Sequence, residues 1–193
     1  EMTISSGLVN ELTEDEISSE VYKELDTMVK DIEKKYEYLF VKVGNTEHAL
    51  VINDPDNPEI RLVRNEETNM GDFITDAYRI QTGADIAFMN GGSIRADIGA
   101  GEIKYMDLIT VLPWNSEAGV IEVTGQQILD CLEMGARLAP EECGGFIQPS
   151  GLTYTIDSSI PSSVQLDDKR NFVAVTGPYR VTDIMVNGEP LDL

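Results

Sequence analysis

The spacing of apolar residues changes character repeatedly along this chain, and that constrains its fold more than any other feature. Val21, Leu25, Met28, Val29, Ile32, Tyr36 and Leu39 recur at the helical period with Glu, Asp and Lys between them. This predicts one long amphipathic helix over roughly 17–37, its stripe packed on its own protein. Asp26–Lys30 and Asp31–Lys35 are attractive i,i+4 pairs, while Glu20–Glu24 and Glu33–Glu37 repel. Met70, Phe73, Ile74, Ala77 and Tyr78 mark a second helix over 70–81, with Asn69 as N-cap, Asp72 at the capping-box position and Gly83 past its end. A helical turn over 106–112 closes at Pro113. A further helix over 125–138, with Ile128, Cys131, Leu132 and Gly135 on one face, stops before Pro140. Between them lie short β-type runs at 38–43, 49–52, 85–89, 102–105, 119–123, 152–156, 172–175 and 181–186, the last followed by the hairpin dipeptide Asn187-Gly188. Interspersed helices and short, antiparallel-compatible strands predict an α+β fold with a mixed sheet.

The loop Asn53-Asp54-Pro55-Asp56-Asn57-Pro58 carries two prolines and four Asx residues, so a soft boundary is placed near 53–60. Residues 1–55 form an acidic lead-in, including Thr13-Glu14-Asp15-Glu16, with the long helix and the first strands; residues 56–193 form the main domain.

Of the 193 residues, 35 are acidic and 14 basic, a formal net charge of −21 with no basic cluster. A nucleic-acid polymer or an anionic lipid surface needs such a cluster, so both are excluded as partners. No run of about eighteen apolar residues exists to span a membrane, and no basic segment followed by an apolar one marks a signal peptide. The chain opens on Glu1, as expected of a processed protein or a piece of a longer one. His48 is the only histidine, so neither a two-His zinc site nor a histidine-rich two-metal centre can be built here. Cys131 and Cys143 are read as two separate thiols, with a single bridge as the alternative.

Chemistry concentrates in Asn90-Gly91-Gly92-Ser93-Ile94-Arg95, directly after the 85–89 run. Two glycines at a strand end turn the backbone tightly with its N–H groups exposed, an arrangement that binds anions. Asn90 donates and accepts, and Arg95 offers a planar fork suited to phosphate or carboxylate. Taken bare, a glycine turn with Arg95 paired to Asp97 reads the same way. Upstream stands Arg64-Asn65-Glu66-Glu67-Thr68-Asn69-Met70-Gly71; downstream stand Val111-Leu112-Pro113-Trp114-Asn115 and Gly144-Gly145-Phe146-Ile147-Gln148-Pro149-Ser150-Gly151-Leu152.

In this order and spacing the four segments resemble the C-terminal, substrate-binding domain of the 5′-nucleotidase family, which also includes UDP-sugar hydrolases and 2′,3′-cyclic phosphodiesterases. The resemblance runs from about Arg64 to Asp157 and more loosely to the end. It implies that this domain holds a nucleotide or nucleoside and presents it to an N-terminal metallophosphoesterase domain bearing two divalent metal ions, which these residues do not contain. The 17–37 helix would then be the interdomain linker. Arg64 matches an arginine on the phosphate or ribose side, Asn90 the asparagine that reaches the nucleoside, and Arg95 a second phosphate-facing arginine. Trp114 stands where the family has a phenylalanine that stacks on the base. No catalytic or metal-binding residue is assigned in this chain, and alone it is expected to be inactive. The family's second stacking aromatic and a ribose-binding aspartate sit in an Asn-x-Phe-Leu-x-x-Gly-Gly-Asp-Gly segment with no match here, so the clamp is expected to be incomplete. An extracellular, periplasmic or cell-wall location is implied by the family alone. The alternative function is a non-catalytic cell-surface module that keeps the fold. Phe146 is read as packing, His48 as a solvated residue, and Glu67 as a brace for an arginine or a backbone N–H.

Overall fold

The computed structural model describes residues 19–114 and 116–193; the Thr13–Glu16 stretch lies outside them. The chain divides into two units at Lys42/Val43, upstream of the loop at which the sequence suggests a boundary. In the first unit, Ser19 begins helix α1 (Glu20–Lys35) by accepting a bond from the Tyr22 N–H at 3.1 Å. Asp26 and Lys30 form the expected ion pair at 2.6 Å, and Lys34 and Lys35 face the helix's negative end. Among the described residues no residue of α1 is buried, and Val21 and Met28 are 67% and 60% exposed. Only the end of the 38–43 run is strand. It begins in a 3₁₀ turn (Glu37–Phe40) that leads into β1 (Lys42–Thr46).

In the second unit, strand expectations hold where a partner strand exists. β2 (Ala87–Asn90) pairs antiparallel with β4 (Ile147–Ser150), and β1 pairs with β3 (Gly101–Lys104). β5 (Leu152–Ile156), β8 (Val181–Val186) and β9 (Glu189–Pro190) form a three-stranded sheet, and β6 (Val164–Leu166) pairs with β7 (Phe172–Val175). Strands among the described residues thus fall into four small sheets within an α+β fold. Asn187 and Gly188, at φ 51° and 83°, make the two-residue turn joining β8 to β9, since both positions of a type I′ turn need positive φ. The 49–52 run contributes only a bridge from Leu50 to Ile98. The 119–123 run is in no strand, although its residues favour one.

Helix α2 (Asn69–Thr82) ends at Gly83 (φ 69°), as the sequence anticipates. Its cap is Thr68, one residue earlier than expected: the Thr68 hydroxyl accepts from the Gly71 N–H at 3.1 Å. Asn69 is drawn away by a tertiary contact, accepting from the Val51 N–H and donating to the Ala49 carbonyl. Short helix α3 (Tyr105–Val111) follows β3. Helix α4 (Gly125–Ala136) starts with a reciprocal capping box between Thr124 and Gln127.

Two apolar cores result. One gathers Ile52, Val63, Met70, Ile74, Ile94 and Val111; the other gathers Leu129, Leu132, Leu152, Val181 and Ile184. β2 lies between them because side chains alternate along a strand: Met89 packs on the first core and Phe88 on the second. Within the second, Glu133 is fully buried and accepts the backbone N–H groups of Arg180 and Val181 at 2.8 and 2.9 Å. Cys131 and Cys143 are both free thiols; Cys143 is buried, and Cys131 is exposed rather than on a core face.

Candidate functional site

The turn that carries Arg64 is the 3₁₀ segment Leu62–Arg64, pinned from both sides. Val63 is wholly buried in the first core, and the Arg64 carbonyl accepts from the Cys143 N–H at 2.8 Å. Beneath it lies Gln148, a wholly buried amide with every group engaged. Its Nε2 donates to the carbonyls of Val63 and Glu66 at 3.0 and 2.6 Å. Its Oε1 accepts from the Thr68 N–H at 2.9 Å and more weakly from the Thr68 hydroxyl. One side chain thereby joins β4, the Arg64 turn and the cap of α2. A buried polar group must be fully bonded to be tolerated, and here that requirement fixes the site's scaffold.

Gly91 and Gly92 form a second turn against this one, but not as an open anion nest. The Gly91 N–H donates to Phe146 O at 2.8 Å and the Gly92 N–H to Gly144 O at 2.9 Å, so neither points at solvent. The glycines are needed for close approach instead. A Cβ on Gly91 would lie 1.8 Å from Val63 O, and one on Gly92 would lie 2.7 Å from Gly144 O. Asn90 is exposed at the head of this turn; it accepts from the Ser93 hydroxyl at 2.9 Å and donates to Gly144 O at 3.0 Å. These bonds fix the amide's orientation while leaving one N–H and one lone pair.

The charges converge. Arg95 is exposed, donates one guanidinium bond to Gly92 O at 3.0 Å, and pairs with no carboxylate among the described residues. Asp97, its nearest acid in sequence, is taken by the Ile52 N–H and the Asn53 amide. Arg64 has a buried Nε with no partner. Arg61, which the motif reading passes over, joins them. Its guanidinium donates to Ile94 O at 2.7 Å. Its pKa is lowered, first by burial and then by the charges of Arg64 and Arg95, against smaller opposing pulls from Glu142 and Asp97. The signal was present in the sequence as a second arginine one 3₁₀ turn before Arg64. In a chain of net charge −21, Arg61 thus has Arg64 and Arg95 as cationic neighbours, and Arg64 brings a buried donor without a partner, a grouping whose chemistry suits an anion.

Trp114 lies near this cluster along the chain. The Arg95 N–H donates to Val111 O at 2.9 Å, three residues before Trp114, whose indole is 58% exposed. A large exposed aromatic can stack on a planar ring. Phe146 is 4% exposed and packs, as read from sequence, and His48 is exposed. Among the described residues Glu67 bonds neither an arginine nor a backbone N–H, the two roles the sequence reading gives it. It faces Asp72, whose carboxyl is pushed up to about 6 by burial, by the charge and hydrogen bond of Glu67, and by Asp76.

The direction of that shift fixes a pH dependence. The folded pKa of Asp72 lies above its ordinary value of 3.8, so the native state holds the proton more tightly than the unfolded one. Its contribution to stability is greatest below the ordinary pKa, falls as pH rises to about 6, and is constant above. Asp72→Asn should flatten that fall and stabilise the chain at neutral pH by on the order of 1 kcal/mol, once solvent screening is allowed for. Urea midpoints of the two proteins measured across this range test it. Parallel pH profiles would count against the Glu67–Asp72 contact.

No three of the described His, Cys, Asp and Glu side chains converge as a metal site would require.

Comparison with known proteins agrees with this architecture. Residues 42–193 match the family model described as 5′-nucleotidase, C-terminal domain. The 5′-nucleotidase of Vibrio cholerae is 31% identical over 150 residues, covering 78% of this chain and 26% of that protein. Protein UshA of Escherichia coli is 32% identical over 154 residues, covering 80% of this chain and 23% of its own. The crystal structure of the 5′-nucleotidase precursor from Thermus thermophilus superposes with a TM-score of 0.67 at 29% identity, over 89% of this chain and 31% of that one. The chain thus spans about a quarter of the length of these curated relatives. With the motif segments, the α+β architecture and these matches in agreement, the chain belongs to the 5′-nucleotidase family, as its C-terminal domain.

Proposed function

We propose that this chain is the nucleotide-recognition domain of a 5′-nucleotidase-type metallophosphoesterase, an enzyme that hydrolyses phosphate from nucleotides. Arg64 and Arg95, with Arg61 beside them, take the phosphate or ribose side. Asn90 reaches the nucleoside, and Trp114 stacks on the base. Gly91 and Gly92 position these groups by close packing rather than by offering their own N–H groups. The observation that carries this reading is the group of three arginines, with the unmet Arg64 Nε, in an otherwise acidic chain. Hydrolysis itself belongs to a separate N-terminal domain holding two divalent metal ions, to which this domain delivers substrate in the right orientation. An extracellular, periplasmic or cell-wall location belongs to the same proposal and rests on the family alone. Among the described residues no helix is long and apolar enough to cross a membrane.

Calorimetric titration with AMP and with adenosine separates the roles. Trp114→Ala should weaken both ligands by the loss of about 1–3 kcal/mol of base stacking. Arg95→Met should weaken AMP by about 1.5–3 kcal/mol while leaving adenosine unchanged, because only AMP presents an anion to the fork. Equal effects of both variants on both ligands would contradict the assignment. The chain alone should release no phosphate from AMP with added Mg²⁺, Mn²⁺ or Zn²⁺; turnover abolished by a chelator would overturn the division of labour. If neither ligand binds, the reading fails and the non-catalytic module takes its place.

A further inference from the structure

The 142–144 segment bonds both turns of the arginine site. The Arg61 N–H donates to Glu142 Oε1 at 2.9 Å. The next residue, Cys143, donates its N–H to Arg64 O at 2.8 Å. Gly144 O then accepts from the Gly92 N–H at 2.9 Å and from the Asn90 amide at 3.0 Å. Cys143 and Gly144 take part through their backbone, and Glu142 takes part through its side chain.

A carboxylate is more than this contact requires. Any side-chain oxygen of the same reach would accept the Arg61 N–H, and a guanidinium stays protonated in proteins without help. What the contact leaves over is the charge. Glu142 is exposed, and its Oε2 accepts no hydrogen bond among the described residues. Its charge bears on Arg61, opposing the lowering of the Arg61 pKa by burial, Arg64 and Arg95. Asp97 is the other acid that does so, and its two oxygens are taken by the Ile52 N–H and the Asn53 amide.

A fixed negative charge beside a cationic site acts on every anion that enters. Coulomb energy scales with the product of the charges, so it repels a doubly charged phosphate about twice as strongly as a singly charged one. A neutral ligand it does not repel. We propose that Glu142 is a charge filter on the arginine site, a specificity-determining residue that holds back doubly charged phosphomonoesters more than singly charged phosphodiesters. It tilts the site toward nucleotides whose phosphate carries a second ester. The filter rests on the nucleotide-binding reading above and adds a residue that the motif segments do not contain.

Glu142→Gln isolates the charge, because the glutamine Oε1 can still accept the Arg61 N–H. Glu142→Asp keeps the charge and shortens the reach. The probes are AMP, its phosphate methyl ester and adenosine, which carry two, one and no negative charges at mildly alkaline pH. They are titrated calorimetrically into the 193-residue chain and its two variants. Glu142→Gln should bind the ester about threefold and AMP about tenfold more tightly than the parent, the second effect being near the square of the first. Adenosine affinity should not change. Both gains should shrink as salt is added, since Glu142 is exposed. Glu142→Asp should keep the parent's ratio of AMP to ester affinity. Unchanged affinities in Glu142→Gln would overturn the filter and leave nucleotide binding standing. An equal change for all three ligands would also overturn it, because that marks movement of the 142–144 segment rather than charge. The same holds if Glu142→Asp behaves as Glu142→Gln does. If the parent binds none of the three ligands, the nucleotide-binding reading itself fails and takes the filter with it.

Discussion

Gln148→Leu is expected to destabilise this protein by on the order of 4 kcal/mol, although leucine has nearly the volume of glutamine and leaves no cavity. The loss comes from what the amide leaves behind. Val63 O, Glu66 O and the Thr68 N–H all bond to Gln148, a side chain with 0% exposure. Each buried group left without a partner costs about 1–3 kcal/mol, and partial rewetting at Glu66, the more open end, returns some of it. Gly71 approaches so near that a Cβ there would meet Gln148 Oε1 at 2.0 Å, so the neighbouring helix cannot move in to compensate. Urea unfolding at neutral pH measures the change, and AMP affinity should fall with it because the Arg64 turn loses its floor. A change of less than about 1 kcal/mol would show that the amide's four bonds are individually dispensable.

Gly91→Ala should be as damaging by the opposite route, adding one carbon where there is no space. The new Cβ would lie 1.8 Å from Val63 O and 2.8 Å from Val63 C, both backbone atoms of a wholly buried residue. No rotamer change relieves that, so either the Gly91 N–H bond to Phe146 O breaks or the Arg64 turn is displaced. Overpacking of this kind costs about 1–3 kcal/mol where side chains can yield, and more where only backbone can. The expected result is a loss above about 3 kcal/mol, or failure to fold. Gly99→Ala is the matched control: nothing lies within 4 Å of its Cβ position and its φ is not positive, so its midpoint should stay within about 0.5 kcal/mol of the parent. A tolerated Gly91→Ala would refute the close-approach role given to this glycine.

Much of this was legible in the sequence where the determinant is local. The glycine at the end of α2 and the Asn187-Gly188 turn follow from spacing and side-chain chemistry alone, whereas Arg64 and Arg95 were singled out by the family resemblance. Elsewhere a distant residue decided the outcome. Thr68 and Asn69 are both good caps, and Thr68 takes the role because Asn69 is occupied by Ala49 and Val51. Gly91 and Gly92 read as an exposed nest until their N–H groups are seen to meet carbonyls more than fifty positions later. Val120 and Ile121 read as a strand because strand preference is a preference for neighbours, and the described residues supply none. Arg61 was overlooked because it falls outside the motif, though not outside the turn.

The bonds that assemble the site join residues far apart in the chain: 80 and 85 positions for Gln148 with Thr68 and Val63, and 54 for Asn90 with Gly144. Closing loops of that size costs chain entropy that a capped helix such as α4 never meets. During folding, therefore, the helices can form while the three arginines are still scattered. If the proposed function holds, a partly folded chain has no anion site, and a bound nucleotide would report that folding has finished.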